Sequence, residues 1–360
     1  MNNNIINYPA PKQEYKVLVK CFTYNQSKYI EEALNGFAMQ QTNFPFVCLV
    51  MDDASTDGEQ EVIRAWMERE CDINKAEIID IPTSIVIIVP HKTNTSCTFA
   101  FYLLKYNLYG TGDRKMNHVY PWREKCVYEA LCEGDDYWID SLKLQEQVDF
   151  LDENPEYVLV HSDFIALNDS TGHRVSNASS RYKIYNGNVF NYLFEGCFIR
   201  TPTVCFRKVD YELHYNDLPA NTFNGDLFLF YNLAAKGKFY FFEKEMCVYR
   251  VLQESASHTT SEQKRKKIWQ RYKNLDYFIA KHFKVDASVM QKLDYKWFKM
   301  DLRNYIATNS FKELNDLILP GNNISFIYKF LYYSCKVKVI LSVLSSLLRF
   351  KNRLGFNKWF

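Results

Sequence analysis

The sequence predicts an α/β fold in which a mixed, mostly parallel sheet is flanked by helices and followed by a helical extension. The first observation behind this prediction is a set of short apolar runs of strand length, at 16–22, 46–51 and 85–89. The second is the segment between the first two runs, which carries apolar residues at helical spacing: Ile30, Ala33, Leu34, Phe37 and Ala38. A strand, a helix and a strand within about 35 residues favour a right-handed crossover between parallel strands.

Length and composition limit the number and kind of domains that the chain can form. Its 360 residues are 47% hydrophobic and 16% aromatic, which is enough for a buried core and about two domains. We expect a short arm at 1–14, an α/β domain at 15–258, a helical extension at 259–320 and a basic tail at 321–360. The 44 basic and 42 acidic side chains nearly balance, which argues against a nucleic-acid partner. Ten dispersed cysteines without a recognisable signal peptide favour a cytoplasmic location.

Polar residues follow the first two strands at the edge where parallel sheets bind ligands. Tyr24 and Asn25 come after the first strand, and Asp52 and Asp53 after the second. Clustered carboxylates are costly to bury without partners, so they are expected to face solvent, a cation or the donors of a ligand. The alternative is an acidic turn that caps the helix expected at 61–70.

A second acidic cluster follows the strand expected at 126–132 and contains Asp135 and Asp136 directly after a glycine. Mg²⁺ and Mn²⁺ take carboxylate oxygens and usually complete their coordination with water and substrate phosphates. Adjacent aspartates at a strand end can therefore supply one direct and one water-mediated ligand to a metal that also holds a diphosphate. The alternative is a solvated acidic turn with Trp138 packed beneath it.

Two glycine-rich nucleotide motifs are absent from the sequence. It has no G-x-G-x-x-G after a strand and no G-x-x-x-x-G-K-[ST], which argues against a Rossmann dehydrogenase and a P-loop ATPase. A bound nucleotide would then be held by acids and a metal.

Taken together, 17–58 and 129–164 resemble family 2 glycosyltransferases of the GT-A fold, especially bacterial enzymes that build surface polysaccharides. The resemblance extends over 15–258. It implies that Tyr24 and Asp53 hold the nucleotide base, with Asn25 and Asp52 beside them. It also implies that Asp135 and Asp136 bind the cation, with Asp136 as the better candidate for the direct ligand.

The resemblance further implies that Asp226 is the base that takes the proton from the acceptor hydroxyl. The alternative for Asp226 is a helix cap. Arg250 is a candidate diphosphate contact, since its guanidinium suits phosphate oxygens. Leu252 and Gln253 stand where many relatives have a histidine that helps to hold the metal or diphosphate, and His258 is six residues further on.

Three residues are candidates for contact with the acceptor or the transferred sugar. Tyr137 and Trp138 adjoin the metal motif and offer faces on which a sugar ring can stack. Thr203 lies in 201–207, which resembles the stretch near the acceptor and donor sugar in relatives, although an ordinary edge strand is the alternative.

The tail is strongly basic, because no Asp or Glu follows Asp316 and the last 44 residues carry seven Lys and Arg. Its uncharged stretch is too short to span a bilayer. An amphipathic helix in this region is typical of peripheral contact with an anionic leaflet through 324–360. The alternative is a helix packed on its own domain or on a partner protein.

The sequence thus predicts a membrane-associated inverting glycosyltransferase that uses Mg²⁺ or Mn²⁺. The expected donor is a nucleoside diphosphate sugar, with UDP as the expected nucleotide, and the expected acceptor is a glycan or lipid-linked hydroxyl in cell-surface polysaccharide synthesis. The location would be cytoplasmic, on the inner face of the membrane. The alternatives are a sugar nucleotidyltransferase and a catalytically inactive membrane-associated module that binds nucleotide sugars.

Overall fold

The computed structural model describes residues 8–109, 111, 113–219, 221–222, 225–253, 261–320 and 324–353. The chain forms two compact units. The first unit contains 1–190, 198–216 and 225–266, and the second contains 191–197, 217–224 and 267–360. The segments expected as an extension and a tail therefore belong largely to one unit, which also takes in two short segments from the expected α/β domain.

The strands that the structure describes belong to one sheet. They are β1 (Tyr15–Thr23), β2 (Phe46–Asp52), β3 (Glu77–Asp80), β4 (Ser84–Pro90), β5 (Cys97–Leu104), β6 (Cys126–Leu131), β7 (Tyr137–Trp138), β8 (Tyr157–Asn168), β9 (Arg174–Val175), β10 (Cys205–Arg207) and β11 (Lys238–Val251).

The sheet has the order β3-β4-β5-β2-β1-β6-β10-β8-β11-β7, and β9 pairs with β8. Strands β5, β2, β1 and β6 form a continuous parallel centre. Strand β10 runs antiparallel to both of its neighbours, and β8 and β11 are again parallel. The predicted fold class, a mixed and mostly parallel sheet flanked by helices, is confirmed. The carboxyl ends of β1, β2 and β6 meet at one edge.

The helices that the structure describes are α1 (Ile30–Ala38), α2 (Glu59–Glu70), α3 (Lys115–Arg123), α4 (Lys143–Glu153), α5 (Phe190–Leu193), α6 (Asp226–Ala234), α7 (Glu262–His282), α8 (Ala287–Thr308), α9 (Phe311–Asp316), α10 (Phe326–Cys335) and α11 (Lys338–Arg353). No helix in the described part of the chain combines the length and the apolar character needed to cross a membrane.

Both faces of the central strands are buried, which explains their unbroken apolar runs. Along β1, Val17 and Val19 enter one hydrophobic cluster while Leu18 enters the other. Helices α1, α2 and α4 cover the first face, and α3 covers the second with Trp122. Each fully buried large apolar side chain contributes about 1.5–3 kcal/mol to stability. The strand ends that carry polar residues are thereby fixed to a rigid sheet.

The second unit has its own core, to which α8, α10 and α11 contribute. Leu302 of α8, Tyr332 and Cys335 of α10, and Leu341 of α11 are all buried within it. Ser345 is buried as well, and its hydroxyl donates a 3.4 Å hydrogen bond to the carbonyl of Ala307. One side of α11 therefore packs on its own unit, as the alternative for the tail predicted.

Candidate active site

The loops after β1, β2 and β6 are joined at Thr23, the last residue of β1. The carbonyl of Thr23 accepts a 3.1 Å hydrogen bond from the backbone nitrogen of Asp53. Its hydroxyl donates to the buried carboxylate of Glu59, which also accepts a 2.8 Å bond from the nitrogen of Gln26. Gly134 of the loop after β6 packs directly against Thr23 and Gln26. A Cβ at position 134 would overlap Thr23 Oγ1 and lie 2.7 Å from Gln26 Oε1.

Tyr24 and Asn25 form the rim of the site. Tyr24 is 45% exposed, so its side chain is accessible to a ligand. Asn25 has a positive φ of 54°, which this residue type tolerates better than most. Its nitrogen donates to Ser55 Oγ at 2.8 Å and its Oδ1 accepts from the nitrogen of Thr56 at 2.8 Å. Asn25 thus ties the first loop to the second.

Asp53 is buried and already has partners. Its Oδ1 accepts a 2.7 Å hydrogen bond from the nitrogen of Leu108, and its Oδ2 lies 2.9 Å from Nζ of Lys115. Lys115 is 31% exposed, so it can move aside or bind a ligand together with Asp53. Oδ1 of the neighbouring Asp52 accepts a 2.6 Å hydrogen bond from the side-chain amide of Gln60. Its Oδ2 is buried and has no hydrogen-bond partner among the described residues.

Asp135 and Asp136 lie on the loop after β6 and are held by β11. Oδ1 of Asp136 accepts a 2.7 Å hydrogen bond from the backbone nitrogen of Arg250, and Nε of Arg250 donates to the carbonyl of Asp135 at 2.9 Å. Burial, reinforced by the charges of Asp135 and Glu133, raises the pKa of Asp136 well above its usual range. Burial also raises the pKa of Asp135, against the effect of the nearby Arg250 guanidinium.

Arg250 is itself buried among protein acceptors. Beyond the carbonyl of Asp135, its guanidinium pairs with Glu32 and, at 3.3 Å, with Asp169. The guanidinium also lies 4.4 Å from the ring centre of Tyr29. In this arrangement the side chain positions the acidic loop, and its predicted diphosphate contact stays a prediction.

Glu133 and Asp226 interact electrostatically. Burial, with the charge of Asp226 next in importance, raises the pKa of Glu133 to about 8. Burial also raises the pKa of Asp226 to about 6, while Lys20 opposes that rise. Asp226 as a residue is exposed, yet protein closely surrounds its carboxyl group. Its helix begins without a side-chain cap hydrogen bond, so Asp226 does not act as the cap that the alternative predicted.

A buried ion cluster lies beside Asp226. The Glu129 carboxylate is fully buried between Nζ of Lys20 at 2.6 Å and Nε of Arg123 at 2.8 Å. Arg123 also donates a 2.8 Å hydrogen bond to the carbonyl of Val209. This cluster was not predicted from the sequence, since its members come from β1, α3 and β6 and show no common spacing. The one available signal was a lysine within the apolar run of β1.

Two predicted sugar contacts are corrected by their burial. Trp138 is 2% exposed, donates its ring N–H to the carbonyl of Pro202 at 2.9 Å and packs edge-on against Phe37. Thr203 is fully buried, and its hydroxyl donates to the carbonyl of Arg200 at 2.6 Å. Neither side chain presents a face to a sugar. The following strand, β10, lies between β6 and β8, so the edge-strand alternative is wrong too.

Tyr137 remains more accessible than Trp138. Its ring is half-buried, and its hydroxyl accepts a 3.0 Å hydrogen bond from Arg174. The guanidinium of Arg250 lies 5.6 Å from the ring centre. Its predicted contact with a sugar stays a prediction.

The acidic loop suits a hard cation. Glu133 Oε2 is buried without a hydrogen-bond partner among the described residues, and a cation would relieve the repulsion between it and its acidic neighbours. No group of three His, Cys, Asp or Glu in the described part of the chain is arranged as a complete metal site. Leu252 follows β11 and offers no metal ligand, and His258 lies outside the described residues. Phosphate oxygens and water would therefore complete the coordination.

The fold has a counterpart among solved structures. S. aureus TarS residues 1–349, in a crystal structure with UDP-GlcNAc, superposes with a TM-score of 0.55 at 16% identity, over 96% of this chain and 93% of that one. The chain has the GT-A fold. At this level of identity the likeness establishes the GT-A fold alone.

Sequence comparison adds a partial family match. The model of Glycosyl transferase family 2 matches residues 21–82, which include the end of β1, then α1, β2, α2 and the acidic turn between the last two. The uncharacterized proteins Rv1520 of Mycobacterium tuberculosis and Mb1547 of Mycobacterium bovis are each 31% identical over 229 residues, 63% of this chain. The matched region spans 56% of those relatives. The chain is therefore similar to family 2 glycosyltransferases over residues 21–82.

Proposed function

We propose that this chain is an inverting glycosyltransferase. It transfers a sugar from a nucleoside diphosphate sugar, with UDP as the expected nucleotide, to a hydroxyl of a glycan or lipid-linked acceptor in cell-surface polysaccharide synthesis. The observation that carries the proposal is the convergence of acids from distant segments at one sheet edge. Thr23 joins the loop of Asp53 to the loop of Asp135, and Glu133 of that second loop interacts with Asp226.

The donor half of the proposed site lies on the loops after β1 and β2. The exposed ring of Tyr24 is available to stack on a nucleotide base, and Asp53 with Lys115 can offer an acceptor and a donor to the base edge. That TarS was crystallised with UDP-GlcNAc supports a UDP-linked donor.

The proposed cation is Mg²⁺ or Mn²⁺. Asp135 and Asp136 would hold it, with Glu133 beside them. When bound, it would neutralise the charge that develops on the leaving diphosphate. Burial is the main cause of the raised pKa values of these acids, and the charges of neighbouring acids add to it for Glu133 and Asp136. A bound cation would oppose both effects.

The acceptor half of the proposed site depends on Asp226. A carboxylate whose pKa is about 6 is ionised at neutral pH and is a stronger base than an ordinary aspartate. It would take the proton of the acceptor hydroxyl as that oxygen attacks the anomeric carbon and the diphosphate leaves. One such displacement inverts the anomeric centre, so a single base is sufficient.

Turnover with a donor panel tests the proposal. The purified protein is incubated with UDP-glucose, UDP-GlcNAc and GDP-mannose, with and without Mn²⁺, while released nucleoside diphosphate is measured. A parallel incubation contains nucleoside triphosphates and sugar 1-phosphates, and released pyrophosphate is measured. We expect release of nucleoside diphosphate with one donor, greater when Mn²⁺ is present, and none from Asp226→Asn. Pyrophosphate formation from sugar phosphate and nucleoside triphosphate would instead indicate a nucleotidyltransferase. Tight nucleotide binding without turnover would indicate an inactive module.

The proposal includes a peripheral membrane contact through 324–360, which would place the enzyme near a lipid-linked acceptor. An exposed apolar surface on α10 supports it: Phe326, Ile327, Phe330 and Tyr333 are each more than 60% exposed. Val337, Ile340 and Val343, just before and along α11, are exposed as well. The surrounding segment carries Lys and Arg without acids, a charge that complements anionic lipid headgroups.

Flotation with vesicles tests this contact. Deleting the tail would also remove Tyr332 and Leu341 from the core of the second unit, so surface substitutions are the better probe. Phe326→Ser with Phe330→Ser should lower binding to phosphatidylcholine vesicles containing phosphatidylserine by at least tenfold, since each buried Phe contributes about 1.5–3 kcal/mol. Ile78→Ser, which changes another exposed apolar residue (68%), is the matched control. Equal flotation of the double variant and the wild type would refute the contact.

A further inference from the structure

The second unit contains a cavity of about 350 Å³ between α8 and the segment at 191–195. Its lining includes Tyr192, Glu195, Lys292, Tyr295, Lys296 and Lys299. The volume is at the lower end of the range for small-molecule sites, roughly 300–1,000 Å³. It is therefore large enough for one sugar unit with a charged substituent.

The three lysines come from one face of α8, because their spacing of four and three residues brings them onto the same side of a helix. Lys296 is neutralised by the fully buried Asp276, whose Oδ2 lies 2.7 Å from its Nζ. In the described part of the chain, the one ion-pair partner of Lys292 is Glu195 at 3.9 Å. Among the described residues Lys299 has no ion-pair partner, so the cavity wall keeps a net positive charge.

Lys299 is nevertheless held in place. Its ammonium group lies 4.4 Å from the ring centre of Tyr295 and 5.9 Å from that of Tyr328. A cation positioned over aromatic rings is pre-oriented and only partly hydrated. It therefore loses less freedom on binding an anion than a mobile surface lysine does.

The remaining lining residues suit a sugar. Tyr192 and Tyr295 provide aromatic rings beside the lysines, and Asn191 provides an amide that can both donate and accept hydrogen bonds. Pockets with apolar ring surfaces and a few convergent polar groups are typical ligand sites. A small inorganic anion would use the lysines but not the rings.

We propose that this cavity binds a saccharide carrying a phosphate or carboxylate group, with Lys299 and Lys292 on the anionic group and the tyrosine rings against the sugar. This site is separate from the proposed nucleotide site and does not depend on sugar transfer. Its function would be to hold an acidic unit of a glycan.

Ligand-detected NMR tests the proposal on the full chain. Glucose 6-phosphate, glucuronate and glucose are compared by saturation transfer, with saturating UDP and Mg²⁺ present so that the nucleotide site is filled. We expect binding of at least one of the two anionic sugars, at least tenfold tighter than that of glucose and weakened by added salt. Which of the two binds identifies the charged group as phosphate or carboxylate.

Two substitutions localise the binding. Lys299→Met should weaken it about tenfold, since a hydrogen bond to a charged group contributes about 1.5–3 kcal/mol. Lys292→Met, at a position 67% exposed, should weaken it less and leave folding intact. Lys281→Met, an exposed lysine of α7 outside the cavity, should leave it unchanged. Equal binding of glucose, absence of binding by both anionic sugars, or unaltered binding in both cavity variants would overturn the proposal.

Discussion

The backbone nitrogen of Arg250 donates a 2.7 Å hydrogen bond to Oδ1 of Asp136, across 114 positions of the chain. This bond fixes the acidic loop after β6 to the end of β11. The guanidinium reinforces it through the carbonyl of Asp135 and through Glu32 and Asp169. The loop that would hold the cation is therefore pre-organised by a residue of the opposite charge.

Arg250→Met should loosen the acidic loop even when no nucleotide is bound. The side chain is 7% exposed, and we expect a loss of about 1–3 kcal/mol in the free energy of unfolding and roughly tenfold weaker cation-dependent UDP binding. Urea unfolding and calorimetric titration measure the two effects. Arg69→Met, which removes ion pairs at a side chain 51% exposed, should cost less than about 1 kcal/mol. Unchanged stability with weaker UDP binding would instead favour a direct diphosphate contact by Arg250.

Gly134→Ala should displace the acidic loop from Thr23. The added methyl would overlap the Thr23 hydroxyl and crowd Gln26, and overpacking of this kind costs about 1–3 kcal/mol. We expect lower stability together with weaker UDP binding. Gly172→Ala is a suitable control, because that site has a positive φ of 68° but no neighbour within 4 Å. It should destabilise the protein modestly and leave UDP binding unchanged, and equal effects of both variants on binding would contradict the argument.

Asp226→Asn should retain UDP binding and lose transfer by about 10²–10⁴-fold, the usual contribution of a general base. In the wild type the rate should rise as the pH passes through about 6, since only the ionised carboxylate accepts the proton. Initial rates across a pH series measure this dependence. A flat profile between about pH 5 and 7, or normal transfer by the Asn variant, would exclude Asp226 as the base.

The same variant should change the pH dependence of stability. The pKa of Asp226 is raised in the folded state, from 3.8 to about 6, so the folded protein binds this proton more tightly than the unfolded chain does. The associated stability is present below the unfolded value and is lost as the pH rises through about 6. Asp226→Asn should therefore raise the melting temperature more at about pH 7.5 than at about pH 4. An equal shift at both values would contradict the raised pKa.

The ion cluster beside Asp226 should respond unequally to removal of its charges. Glu129→Gln leaves Lys20 and Arg123 facing each other in a buried position and should cost about 3–5 kcal/mol. Lys20→Met leaves the pair of Glu129 and Arg123 intact and should cost only about 1–3 kcal/mol. Denaturant unfolding measures both.

The cluster should also affect catalysis, because Lys20 lowers the pKa of Asp226. Lys20→Met should therefore shift the rising limb of the pH–rate profile to higher pH. An unshifted limb would show that the cluster acts on stability alone.

The central strands and the covering helices were predictable because their signals are local. Strands β1 and β2 are buried on both faces, so their residues are almost all apolar. Helix α1 buries one side, which leaves the spacing of Ile30, Ala33, Leu34 and Phe37 in the sequence. The acidic turns were visible for the same reason, since a parallel sheet places its ligand-binding residues directly after strands.

The role of a side chain within those turns was not predictable from its neighbours in the chain. Trp138 adjoins the acidic loop in sequence, yet its ring is buried in the core, where it packs against Phe37 and donates a hydrogen bond to the carbonyl of Pro202. In the sequence, Lys20 is an isolated charge in an apolar strand. Its role is clear only in the structure, where Glu129 of β6 binds both Lys20 and Arg123 of α3.

The sequence by itself determined which segments form strands and helices, where the polar turns fall between them and how basic the tail is, because periodicity and charge are properties of adjacent residues. Only the tertiary structure decided which acids share one pocket, which aromatic rings face solvent and which arginine fixes the loop. Burial and electrostatic coupling depend on distances in space, and the fold brings together residues that are more than a hundred positions apart in the chain.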